Sequence, residues 1–142
     1  MGKKGKKIQL FLLLGALILL FIINQILIAK GLYLQIIWLD KPMHFLGGFF
    51  TGLIGIYFLF LFSKQKISFP RVLFTSFLVA IIIGGLWEIF ELNSETILKM
   101  RLTEKITSAD TRSDLFFDIL GSFFGAFLTP QKKESRILKQ KD

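Results

Sequence analysis

The residues of this 142-residue chain whose types and spacing could do chemistry are a lone histidine and a set of carboxylates. His44 follows Asp40 by four positions, Glu91 follows Glu88 by three, and Asp118 follows Asp114 by four. On helices, those intervals put each pair on one face. Asp110 lies just ahead of the third pair, and Lys41 and Arg112 are the neighbouring cations. A histidine beside a carboxylate is suited to general acid–base work. An acid-rich set with one imidazole and no cysteine suits protons or a hard divalent cation better than a thiolate zinc site. The sequence has no H-E-x-x-H, G-x-S-x-G or Walker loop and names no nucleophile. His44, Glu88, Glu91, Asp114 and Asp118 are therefore the candidate catalytic residues, with Asp40, Lys41, Asp110 and Arg112 in support.

The elements that must position these residues are apolar. Hydrophobic residues make up 53% of the chain, with 17 Phe, too much for so short a protein to hide from water. The expectation is an all-α, polytopic bundle of four transmembrane helices forming a single membrane domain. The spans are about 8–29, 42–62, 70–92 and 113–129. Pro42 and Pro70 suit first turns, and Pro130 stops the last helix. The first run follows Lys3, Lys4, Lys6 and Lys7 but is too long for a signal peptide core and lacks an A-x-A cleavage pattern, so it reads as a retained helix. Asn24 and Gln25 are its polar interruptions.

Charge sets the orientation. With the N-terminus inside, twelve of the 18 Lys and Arg fall in cytoplasmic segments. The basic tails 1–7 and 131–142 and the loop holding Lys64, Lys66 and Arg71 are then inside, and the segment between the third and fourth helices is a short outer loop. The net charge of +8 brackets the apolar runs. It reads as orientation and attraction to lipid headgroups, not as nucleic-acid binding. The expected setting is the cytoplasmic (inner) membrane, with lipids as partners.

Depth gathers the polar residues. Glu88 is about 27 Å from Pro70 along a helix, close to the outer edge of the hydrocarbon core. His44 and Asp118 each lie about 6 Å below Asp40 and Asp114. Three helices therefore bring His44, Glu88 or Glu91, and Asp118 into one layer beneath the outer surface. The plainer reading makes Asp40, Asp110 and Asp114 helix caps, with Thr111-x-x-Asp114 resembling a capping box, and the rest a salt-bridge network. Glu88 and Glu91 resist it, because they approach a helix C-terminus, where the dipole opposes negative charge. Gly48-x-x-x-Gly52 and Gly121-x-x-x-Gly125 make the second and fourth helices candidate neighbours. Trp38 and Trp87 read as interfacial belt residues, Trp87 also as a wall of the site.

The blocks Asp40-Lys41-Pro42-Met43-His44-Phe45, Gly85-Leu86-Trp87-Glu88-Ile89-Phe90-Glu91 and Asp110 to Gly125 resemble the VanZ-like and YjdF-like small membrane proteins of bacteria. Glu91 and Asp118 stand nearer the YjdF-like pattern. The resemblance covers roughly Trp38 to Leu128. It implies a bacterial cell-envelope protein with an outward-facing polar site, and VanZ-like proteins are associated with glycopeptide susceptibility. Three functions fit: action on or near outer-leaflet lipids or cell-wall precursors, a proton- or cation-linked transport component, and a non-catalytic scaffold held by the polar network. Transport is the weaker fit, because the inner half of every helix is apolar.

Overall fold

The computed structural model describes residues 3–63, 66–98 and 108–129. The basic tail 131–142 and most of the loop between the last two helices lie outside the described residues. Helix α1 runs Lys3–Ala29, its uncharged stretch from Ile8 giving no reason to break. It ends where Gly31 takes the left-handed conformation (φ 62°) and donates its N–H to Ile28 O. A short helix α2 (Leu32–Gln35) and a 3₁₀ turn (Ile37–Leu39) lead into α3 (Asp40–Phe62). Helix α4 spans Phe69–Leu98 and α5 spans Ser108–Leu128. Among the described residues there are no strands.

Three helices are long and apolar enough to cross a membrane: Lys7–Ala29, Asp40–Phe62 and Phe69–Glu91. At about 1.5 Å per residue, α5 also has the length of a span, but its first half carries Asp110, Arg112, Asp114 and Asp118 and keeps it out of that class.

Helices α3, α4 and α5 form the packed core, and α1 lies against α3 at its flank. The α3/α5 contact is close because glycines face backbone on both sides. A Cβ on Gly48 would overlap the Asp118 backbone, and one on Gly121 would overlap Phe45 O. The two glycine pairs of the sequence thus sit on one interface. Toward the opposite end, Ile56, Val72 and Ala126 bury together, flanked by Leu59, Ile67 and Leu73. Large side chains point outward instead, Phe11 at 80% exposure and Phe62 at 76%. Hydrophobes turned out and small or polar groups turned in are the arrangement a lipid solvent selects.

Helix starts differ from the apolar runs in a way that matters for the site. Helix α3 begins at Asp40, α5 begins at Ser108, and α4 continues to Leu98, past position 92. Thr111 is consequently inside α5 and caps nothing. Leu39 is the N-cap of α3, with no side-chain cap. Asp40 and Asp110 lie in first turns, where the helix dipole favours an acid, but Asp114 lies beyond the first turn of α5 and is not accounted for in this way.

Candidate functional site

The start of α3, the last turns of α4's apolar stretch and the first half of α5 lie side by side, and their polar residues meet. His44 is 5% exposed, Glu88 4%, Asp114 2% and Asp118 5%. The His44 Nδ1 donates to Asp118 Oδ2 at 3.2 Å. Across the ring, Nε2 faces Asp40 Oδ1 at 3.6 Å and Glu88 Oε1 at 3.7 Å. Glycine makes room for Asp118: a Cβ on Gly84 of α4 would collide with its Oδ2.

Lys41 organises the other half. Its Nζ donates to Asp110 Oδ1 at 2.7 Å and to Asp114 Oδ1 at 2.5 Å, with Asp40 Oδ2 at 3.8 Å. This ties α3 to α5 and offsets the charge of a nearly inaccessible carboxylate. Arg112 is exposed on α5 and joins no ion pair with another described residue. Glu88 is hydrogen-bonded by the Thr111 side chain, and Glu91 by Trp87. Each candidate acid therefore reaches the cluster or its rim.

Two groups could hold a metal ion, each with ligand atoms within 4.8 Å of one another: Asp40, His44 and Asp114, and His44, Glu88 and Glu91. Among the described residues, the buried side-chain atoms without a hydrogen-bond partner are His44 Nε2 and Glu88 Oε1. Chemically, the arrangement is an imidazole oriented by one carboxylate and presenting its far nitrogen to others, which serves proton transfer or metal binding alike.

A cavity of about 380 Å³ opens beside the cluster. Leu17, Ile18, Leu20 and Phe21 of α1 form one wall, Met43, Gly47 and Thr51 of α3 another, and Ile83, Gly84 and Trp87 of α4 a third. Asn24, Asp40, His44 and Asp118 supply its polar lining. Trp38, by contrast, is 69% exposed, as a belt residue would be.

Asn24, Tyr33 and Thr51 belong to this neighbourhood although the sequence assigned them no role. The Tyr33 hydroxyl donates to Asn24 Oδ1 and closes the turn after α1 back onto that helix. Burial pushes the Tyr33 phenol well above its ordinary range, and the charges of Asp40 and Glu91 add to the shift, so it remains a donor. Asn24 had one signal, an amide within an otherwise apolar run. For Tyr33 and Thr51 the signal is absent, since both are ordinary in an outer turn or a packed helix.

Comparisons with known proteins agree with the membrane reading. A "Predicted membrane protein (DUF2238)" family matches residues 2–132. An uncharacterized protein of Thermotoga maritima is 34% identical over 108 residues, covering 73% of this chain. The alignment spans 54% of that relative, so this chain corresponds to about half of its length. No solved structure matches the chain. With the family match running over nearly its whole length, the chain belongs to the DUF2238 family of predicted membrane proteins.

Proposed function

We propose that the protein binds and acts on an amphiphile of the outer leaflet, its apolar part in the α1/α3/α4 cavity and its polar part at His44 and Asp118. The observation that carries this is the cavity itself: apolar walls from three helices ending on a buried His–carboxylate pair. In this reading α5 is a fourth span, both termini are cytoplasmic, the polar cluster faces outward, and the membrane is the bacterial inner membrane. The resemblance to VanZ-like and YjdF-like proteins points the same way, toward lipids or cell-wall precursors and glycopeptide susceptibility. Lys41 with Asp110 and Asp114 favours a structural role for that half of the cluster, which is the scaffold reading confined to its place.

Topology is testable cleanly because the chain has no cysteine. Single cysteines at Leu34 and Thr107 should react with an impermeant maleimide added to intact spheroplasts, and one at Gln131 should react only after lysis. Labelling of the Gln131 site from outside would remove the fourth span.

Occupancy is tested by a photo-reactive amino acid at Leu20, in the cavity wall, against one at the strongly exposed Phe11 on the same helix. Mass spectrometry of the adducts should show one class of amphiphile enriched at Leu20. Identical lipid profiles at the two positions would mean that the cavity admits only bulk lipid.

A further inference from the structure

Two buried atoms of the cluster are left without hydrogen bonds, and they face each other. His44 Nε2 and Glu88 Oε1 belong to side chains 5% and 4% exposed, and 3.7 Å separates them. That is too long for a hydrogen bond, which needs about 2.7–3.2 Å. It is a natural spacing for two donors on one ion: with bonds of about 2.0–2.2 Å, such donors subtend an angle of about 120°. Glu91 offers a third donor in the same group as His44 and Glu88, whereas Asp40 Oδ1, 3.6 Å from the same nitrogen, belongs to the separate group with Asp114.

We propose that this is a divalent metal site, with His44 Nε2, Glu88 Oε1 and a carboxylate oxygen of Glu91 as ligands and Asp118 as its supporting carboxylate. Metal-binding histidines characteristically donate their other ring N–H to a carboxylate, which fixes the tautomer that leaves the ligating nitrogen free. Here Asp118 Oδ2 is the acceptor for Nδ1 at 3.2 Å. The choice between the two donor groups follows from Lys41. Its ammonium already occupies Asp114 Oδ1 at 2.5 Å, so the group containing Asp114 is neutralised, whereas no described lysine or arginine is paired with Glu88. A cation there would offset carboxylates that are otherwise costly to hold below a membrane surface. One imidazole with carboxylates suits a first-row ion such as Mn²⁺ or Zn²⁺, since Ca²⁺ and Mg²⁺ favour oxygen alone. The site stands whether or not an amphiphile fills the cavity.

The test uses the full chain, purified without a polyhistidine tag and placed in phosphatidylcholine nanodiscs with empty nanodiscs as blank. After chelation and dialysis, Mn²⁺ titration should reach one ion per chain. Electron spin echo modulation should then show a directly coordinated ¹⁴N that disappears on selective ¹⁵N-histidine labelling. Because the chain has a single histidine, that signal assigns His44 without a variant. Glu88→Gln should weaken binding at least tenfold, and Asp118→Asn about 10–100-fold as a supporting residue. Binding no stronger than to empty nanodiscs, or bound Mn²⁺ without the histidine nitrogen, would overturn the proposal even if Glu88→Gln fails to fold.

Discussion

Gly48→Ala is expected to disrupt the α3/α5 interface at a cost at or above about 3 kcal/mol, the upper end for overpacking a core. The obstruction would be the backbone of Asp118, which cannot swing aside as a side-chain tip can. Either the helices separate or α5 slides, and both draw Asp118 away from His44. Gly121→Ala should behave alike, because its Cβ would meet the backbone of Phe45 and Phe49. Gly15 and Gly85 serve as controls, since nothing lies within 4 Å of a Cβ at either position. Alanine there should be neutral or stabilise by up to about 1 kcal/mol through helix propensity. Reversible unfolding in mixed micelles measures all four. A Gly48→Ala change within roughly 0.5 kcal/mol of wild type, the range of an uninvolved surface position, would show that α3 and α5 do not meet backbone to backbone at Gly48.

The second large effect is expected at Lys41. Lys41→Met would leave Asp114, with a side chain only 3% exposed, without its cation. Removing one partner of a buried pair costs about 3–5 kcal/mol. The lower end applies here, because the Lys41 side chain is 21% exposed and water screens part of the charge. Adding Asp114→Asn should return most of the loss, giving a double-mutant coupling well outside additive behaviour. Arg112→Met, on an exposed side chain, should change stability by roughly 0.5 kcal/mol or less. Equal losses in the single and double variants would separate Lys41 from Asp114 energetically. The same comparison divides the cluster by role. The Lys41 half should report on stability, and Glu88→Gln should report on metal occupancy with a smaller effect on folding.

Much of the layer was legible along the chain because a helix converts spacing into direction and depth. The intervals from Asp40 to His44 and from Asp114 to Asp118 fix a shared face, and the apolar lengths fix how far each residue lies from an end. The glycine pairs at 48/52 and 121/125 named the closest interface for a related reason, since only small residues let backbones approach in lipid. What spacing cannot encode is which acid faces which cation. Asp40 and Asp114 have the sequence context of caps, yet α3 and α5 start early enough that both turn inward, toward His44 and Lys41. That outcome depends on how two helices rotate about their axes once Gly48 and Gly121 are in contact, a property of the packed pair and of neither segment. The cavity is likewise tertiary. It exists because α1 packs on α3 and stands off from most of α4, leaving the space that Leu20, Phe21 and Trp87 line. Chain order fixes who precedes whom; only packing decides that Nε2 of His44 and Oε1 of Glu88 finish buried, opposed and too far apart to bond each other.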